Sequence, residues 1–205
     1  MSTIRKSTRA VVAGATLVLS VALTACGGTT APGTTPATGA ATASAPAGTG
    51  AQHNDADVAF AQMMIPHHQQ AIEMADMAAD RAQSADVKAL AHQIKAAQDP
   101  EIATLNGFLT NWGAAPAQGG MDHSGMDHST STGMMTQTDM DALSGAVGAS
   151  FDKMFLEMMV KHHEGAVAAS QREVSDGANP QAKDLASKII SAQNAEIGRM
   201  KQLLG

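Results

Sequence analysis

The sequence predicts an all-α fold, a four-helix bundle built from a duplicated helical hairpin. Residues 60–109 align with 155–204 without a gap, at a constant spacing of 95 residues, and about 15 of 50 positions are identical. Apolar residues recur in both halves at helical spacing, and no segment shows the alternation or the β-branched enrichment of a strand. Two copies of a helix pair with short turns are the pattern of such a bundle.

Capping and helix-breaking residues set the expected helix ends. Repeat one (57–110) and repeat two (139–205) should each contain two helices. The expected helices run from about Asp57 to Gln83, from a cap at Ser84 or Asp86 to about Thr110, from a cap at Asp139 to about Ser175, and from the turn "DGANP" to Leu204. Pro66 removes one backbone hydrogen bond, so it should kink the first helix or mark where its regular part begins.

The N-terminal residues predict an exported lipoprotein. Residues 1–26 start with a basic stretch and continue with an apolar run that is too short to span a bilayer. The run ends at "LTAC", where cleavage would leave Cys26 as a lipid-carrying N-terminus; the alternative is an ordinary cleaved signal. Residues 27–54 are mostly small residues and proline, which predicts a flexible linker. The helical domain, 55–205, would then face the extracytoplasmic side, in the periplasm or at the cell surface.

Charge and composition exclude several classes of function. The formal net charge is −6, and removal of the basic signal residues lowers it to about −9. An acidic chain lacks the basic footprint that nucleic-acid binding requires. A single cysteine rules out a disulfide framework and a cysteine-based zinc site.

Both repeats place paired methionines and paired histidines on a predicted core face. The segments read "MMIPHH" from Met63 and "MMVKHH" from Met158. Met at i and His at i+4 lie one turn apart, so thioether and imidazole groups share that face. His67 and His162 fall near the stripe centres, and His68 falls at an edge. The candidate metal ligands of the two repeats are Met63, Met64, His67, His68, Met74, Met158, Met159, His162 and His163.

Two glutamates, Glu101 and Glu196, occupy equivalent positions in the apolar stripes of the second helices, in repeat one beside Ala97. A buried carboxylate needs a proton, a histidine or a metal ion as its partner. One interpretation is a pair of His–Glu hydrogen bonds, made by His67 and His162, that fix the helix register. The other interpretation is a metal site between the helices.

The connection between the repeats, residues 113–137, contains Met-Asp-His twice among glycine and serine. Methionine has no core to fill in a mobile polar loop, so Met121, His123, Met126 and His128 are further candidate ligands. Thioether and imidazole together favour Cu(I), with Cu(II) also possible, whereas calcium and magnesium prefer oxygen ligands. The loop resembles the Met-Asp-His-Ser repeats of bacterial periplasmic copper-resistance proteins; the alternative is a polar linker with a chance repeat.

The motifs "MMIPHHQQAIEMA" and "MMVKHHEGAVAAS", each followed by a helix containing Glu-Ile, resemble the bacterial family called domain of unknown function 305. The resemblance covers about residues 55–205. It implies a ferritin-like helical bundle, export from the cytoplasm and, because the family includes periplasmic copper-binding proteins, an association with copper. It carries the family's His and Met pairs onto the pairs named above. Met74 corresponds to Ala169, so the halves cannot offer identical ligand sets.

Three functions remain open from the sequence. The leading one is a membrane-anchored, non-enzymatic copper-binding protein that sequesters or buffers the ion, with the lipid bilayer and a copper-transfer partner or a second copy of the chain as further partners. The second is a ferritin-like di-metal oxidase that uses Glu101, Glu196, His67 and His162, although no Glu-x-x-His motif occurs. The third is a structural or partner-binding bundle without metal.

Overall fold

The computed structural model describes residues 52–115 and 133–205, and all regular secondary structure within these ranges is α-helical. The predicted all-α class is therefore confirmed for this part of the chain. The helices are α1 (Asp55–Arg81), α2 (Ala85–Trp112), α3 (Gln137–Gly145), α4 (Gly148–Asp176) and α5 (Pro180–Leu204). The predicted signal with Cys26, the linker up to residue 51, and the candidate ligands Met121, His123, Met126 and His128 lie outside the described residues.

Side-chain caps define the ends of the first hairpin. The Asn54 side chain accepts backbone N–H groups at the start of α1 and forms a capping box with Asp57. Ser84 caps α2, and Gly113 ends it in the left-handed conformation, as glycine commonly does. Pro66 lies inside α1, which begins at Asp55, so Pro66 does not mark the start of the regular helix.

The predicted single helix from Asp139 to Ser175 is wrong. Thr136, not Asp139, is the N-cap, and the chain breaks after Gly145 into a short helix and a long one. Gly148 supplies the positive φ of 64° at this break, which a residue with a side chain rarely adopts. Asp152 near the start of α4 accepts the backbone N–H groups of Gln83 and Ser84 at 3.0 and 2.9 Å, which ties the break to the α1–α2 turn.

Helix packing places the middle of α1 against the middle of α4. Within each hairpin α1 packs on α2 and α4 packs on α5, while α1 also packs along α4 and α2 meets α5 much less. The start of α1 and the end of α4 share one apolar cluster, the proximal cluster, which includes Phe60, Met64 and Ala169. The end of α1 and the start of α4 share a second, the distal cluster, which includes Met74 and Phe155. The two helices therefore run in opposite directions.

The four histidines lie between these clusters along both helices. On α1 they follow Met64 of the proximal cluster and precede Ala71 of the distal cluster; on α4 they follow Met159 and precede Ala166. In the described part of the chain, no helix is long and apolar enough to cross a membrane.

Candidate metal centre

All four histidines of the paired motifs are buried. His67 and His162 are 1% exposed, and His68 and His163 are 0% exposed. The sequence placed His68 at the edge of the apolar stripe. Its complete burial arises because α1 is covered on two sides, by α2 and by α4, so its buried face is wider than one stripe.

His67 and His162 meet across the α1–α4 interface. Their ring centroids are 3.8 Å apart with an interplanar angle of 42°. This contact follows from the antiparallel crossing of the two helices, which brings equivalent positions of the motifs face to face. The rings of His162 and His163 are 6.3 Å apart, so imidazoles from both helices gather in one layer.

The neighbouring histidines, His68 and His163, pair with the glutamates. Nε2 of His68 lies 2.8 Å from Oε2 of Glu101, and Nε2 of His163 lies 2.8 Å from Oε2 of Glu196. The interpretation in which His67 and His162 make these bonds with the glutamates is therefore wrong. Consecutive residues of a helix point about 100° apart, so the first histidine of each pair faces the opposite repeat and the second faces its own hairpin partner.

These hydrogen bonds fix the orientation of two imidazole rings and the position of their protons. A carboxylate only accepts hydrogen bonds, so Nε2 of His68 and of His163 carries the proton. In the neutral ring the lone pair then belongs to Nδ1, and the Nδ1 atoms of both residues are buried without a hydrogen-bond partner in the described residues. Glu101 and Glu196 are 19% and 17% exposed, so each carboxylate keeps one edge near solvent.

His162 is a neutral imidazole near pH 7. Complete burial, followed by the positive charge that His67, His163 and His68 would carry, holds the pKa of His162 well below its ordinary value, and a weak contact with the His67 backbone acts in the opposite direction. Neither ring nitrogen of His162 makes a hydrogen bond of good geometry within the described ranges. The ring therefore presents a lone pair inside the protein.

The candidate methionines lie beside this layer, among apolar side chains. Met64 belongs to the proximal cluster, and Met74 and Met159 belong to the distal cluster; all three are 0% exposed. Met63 and Met158 are half-buried at the edges of the clusters. In residues 52–115 and 133–205, no three His, Cys, Asp or Glu side chains converge closely enough to hold a metal ion by themselves.

Gln98 and Gln193 are buried polar residues that were not predicted from the sequence to belong to the site. Each is 2% exposed and lies one turn before the glutamate on its helix. Both side-chain polar atoms of Gln98 and the carbonyl oxygen of Gln193 lack partners among the residues described. Their signal was present in the sequence, because the two positions match across the repeats, whereas Ala97, which the sequence placed in the stripe, is exposed.

The chain after residue 132 is anchored beside the histidine layer. Met135 donates its N–H to the Gln70 side chain at 2.7 Å, and its carbonyl accepts from the same side chain at 2.9 Å. Gly133, with φ of 77°, lies so close to α4 that an added Cβ would be 3.1 Å from the carbonyl oxygen of His162. Residues 133–135 therefore lie against the helices at the level of the paired histidines.

A family model for a domain of unknown function, DUF305, matches residues 57–204. The chain belongs to the DUF305 family. This confirms the resemblance found from the paired motifs. A DUF305 fragment from Deinococcus radiodurans is similar at 30% identity and a TM-score of 0.67, over 74% of this chain and 97% of that chain. No curated protein matches the sequence.

Two further proteins of known structure are similar to this chain. CopM in its Cu(II)-bound form has 34% identity and a TM-score of 0.62, with 72% of this chain and 95% of that chain covered. CopM in its Cu(I)-bound form has 33% identity and a TM-score of 0.59, with 72% and 94% covered. A DUF305 protein from Streptomyces coelicolor, proposed to be secreted, has 30% identity and a TM-score of 0.64, with 73% and 90% covered.

Proposed function

We propose that this DUF305 protein binds copper outside the cytoplasm and sequesters or buffers it, with Cu(I) favoured and Cu(II) also accommodated. The observation that carries the proposal is a set of buried imidazole nitrogens without hydrogen bonds of good geometry in the described residues: Nδ1 of His68, Nδ1 of His163 and, on neutral His162, the one ring nitrogen that carries no proton. An unsatisfied buried polar atom costs about 1–3 kcal/mol. A metal ion that takes these lone pairs would remove that cost.

The glutamates support this role by holding two of the rings. Metal-ligating histidines usually donate their other N–H to a carboxylate, which fixes the tautomer and raises the basicity of the ligating nitrogen. Glu101 and Glu196 stand in that relation to His68 and His163, at the same 2.8 Å distance in both halves. His–Glu bonds that only fixed helix register would not require the opposite ring nitrogen to stay unpaired.

The donor set favours copper among the common metals. Three buried imidazoles, each with a ring nitrogen that makes no hydrogen bond of good geometry in the described residues, lie one turn from the thioethers of Met64 and Met159. This is a mixture of borderline and soft donors that suits copper. In residues 52–115 and 133–205, no three His, Cys, Asp or Glu side chains converge on one point, so an ion held in this part of the chain would need thioether donors beside the imidazoles. CopM, which is similar along nearly its whole length, has been crystallised with Cu(I) and with Cu(II).

The finer features predicted from the sequence belong to the same proposal. The protein is exported and anchored by lipidated Cys26, with residues 27–54 as a linker and the four long helices as a ferritin-like four-helix bundle. Met121, His123, Met126 and His128 capture the ion first, and the buried methionines and histidines retain it before transfer to a partner.

The geometry gives less support to the oxidase alternative. That function would bring Glu101, Glu196, His67 and His162 together, but each glutamate pairs with the adjacent histidine in its own hairpin. We therefore propose a metal-binding protein and not an enzyme.

A Cu(I) titration of the purified protein against a chromophoric competitor, without oxygen, tests the proposal. We expect binding by the wild-type protein and a loss of at least about tenfold in affinity in His162→Ala, because a ring with unpaired nitrogens is removed. His92→Ala is the matched control, since His92 is exposed on α2 and should leave binding unchanged. Absence of Cu(I) binding by the wild-type protein, or equal affinity in His162→Ala, would contradict the proposal.

A further inference from the structure

Two carboxyl groups are buried together where α1 begins and α4 ends, away from the histidine layer. Asp57, in the first turn of α1, is 0% exposed, and Glu173, in the last turn of α4, is 2% exposed. The Glu173 carboxyl packs against Gly177, and Asp57 accepts the N–H groups of the next two residues, Ala178 and Asn179, so both carboxyls border the same turn. The two carboxyls hydrogen-bond to each other there. Two neighbouring buried carboxyls are stable only if a proton is shared between them, because two negative charges at this separation repel strongly.

The surroundings of the two groups decide which one carries the proton. Asp57 accepts backbone N–H groups from Asn54 at 2.6 Å, from Ala178 at 3.1 Å and from Asn179 at 2.9 Å. No N–H group in the described residues reaches either oxygen of Glu173. Three donors stabilise a carboxylate at Asp57, so the protonated partner is Glu173, whose O–H then donates to Asp57.

The pKa shifts agree with this assignment. Burial, then the hydrogen bond and the charge of Asp57, raise the pKa of Glu173 to about 8, while Lys183 lowers it and Asp176 raises it slightly. Burial by itself would raise the pKa of Asp57, but the backbone hydrogen bonds and the hydrogen bond with Glu173 together outweigh burial and leave that pKa lowered.

The charged groups around the pair come from three helices. Asp57 faces Glu173 from α1, Asp176 and exposed Arg172 are its neighbours on α4, and Lys183 faces it from α5. No charged residue of α2 lines the cavity beside Glu173, within the described residues. The cavity has a volume of about 300 Å³ and gives an ionised Glu173 a path to water.

The pair also joins three parts of the chain. Asp57 binds Asn54 before α1 and the α4–α5 turn at Ala178 and Asn179, while the Asn179 side chain donates to the carbonyl of Gln52 at 3.0 Å. Gly177 packs against the Glu173 carboxyl so closely that an added Cβ would collide with it. A charge on Glu173 therefore arises inside the contact that holds residues 52–57 to the turn.

We propose that Asp57 and Glu173 form a proton-operated latch that holds the start of α1 to the α4–α5 turn in acid and weakens as Glu173 loses its proton. The raised pKa of Glu173 sets the sign. Its stabilising contribution is complete below the ordinary value of 4.5 and is lost progressively as pH rises to about 8. Asp57 acts in the opposite direction only in strong acid, below its ordinary value of 3.8. The latch does not depend on copper binding.

Amide hydrogen exchange of the copper-free protein between pH 5.5 and pH 8, corrected for the intrinsic pH dependence, tests the latch. We expect protection of the Ala178 and Asn179 amides to fall by up to about tenfold per pH unit, because the open state binds fewer protons. Glu173→Gln should abolish the pH dependence, since the amide keeps a donor for Asp57 and cannot ionise.

Glu157→Gln is the matched control, because Glu157 is an exposed glutamate on the same helix and should preserve the wild-type profile. The proposal is overturned if protection at Ala178 and Asn179 is independent of pH in the wild-type protein, or if Glu173→Gln keeps the wild-type slope. The wild-type profile decides the question alone if Glu173→Gln does not fold.

Discussion

Replacing His162 by leucine should stabilise the copper-free protein, although His162 lies at the centre of the proposed site. The ring is 1% exposed, is neutral near pH 7 and has two nitrogens without hydrogen bonds of good geometry in the described residues. Each such atom costs about 1–3 kcal/mol. A leucine of similar volume removes both, so we expect the free energy of unfolding to rise by about 1–3 kcal/mol after some loss from imperfect packing.

His163→Leu is the contrasting substitution. It also removes an unpaired nitrogen, but it breaks the 2.8 Å bond to Glu196 and leaves that carboxylate without its partner. A hydrogen bond to a charged group contributes about 1.5–3 kcal/mol, so the two effects nearly cancel and the net change should be close to zero or destabilising.

Urea unfolding of the metal-free proteins, followed by far-UV circular dichroism, measures the difference. The free energy of unfolding of His162→Leu should exceed that of His163→Leu by about 2 kcal/mol. For a protein of this size each kcal/mol shifts Tm by roughly 2–4 °C. Exposed His92→Leu should change stability by less than about 0.5 kcal/mol. Destabilisation by His162→Leu equal to or greater than that by His163→Leu would refute the reasoning, since it would mean that the His162 nitrogens are satisfied.

Three further changes have defined outcomes. The pKa of His162 is depressed in the folded protein, so the copper-free wild-type protein should lose stability relative to His162→Leu as pH falls below about 6.5, by up to about 1.4 kcal/mol per pH unit. An equal change in the urea midpoints of the two proteins between pH 7 and pH 5.5 would contradict this. Glu101→Gln keeps the shape of the side chain but loses the carboxylate that orients His68. Cu(I) affinity in a competition titration should therefore fall by about 10–100-fold, with little change in the circular dichroism spectrum. Unchanged affinity would show that Glu101 does not belong to the site. Gly133→Ala should lower the free energy of unfolding by about 1–3 kcal/mol, because alanine is strained at φ of 77° and its Cβ would collide with the α4 backbone. A variant as stable as the wild-type protein would show that the segment around Gly133 does not pack against α4.

The sequence predicted the four long helices because their signals are local. Caps such as Ser84 and Gly113 and the 3.6-residue spacing of apolar side chains act within a few turns of one helix. The break between α3 and α4 was missed because its causes are distant in sequence. Asp152 meets the α1–α2 turn 68–69 residues away, and Gly148 forms a bridge with Ala82.

The histidine layer was predicted as a set of residues but not as a set of contacts. Spacing identified all four buried histidines and both glutamates, yet the interpretation that paired the glutamates with histidines chose His67 and His162. Helix periodicity says which residues share a face, but the helix that covers that face depends on the packing of α1 between α2 and α4. The latch residues Asp57 and Glu173 gave no comparable signal, since a carboxylate near a helix end is usually exposed.

Long-range proton–nitrogen NMR of the histidine rings tests the central claim most directly, because it reports which nitrogen carries the proton and which one binds metal. In the copper-free protein, Nδ1 of His68 and His163 should be unprotonated, and these resonances and those of His162 should shift when Cu(I) is added without oxygen, while exposed His92 stays unchanged. A proton on Nδ1 in the copper-free protein, or buried ring nitrogens that do not respond to Cu(I), would contradict the account.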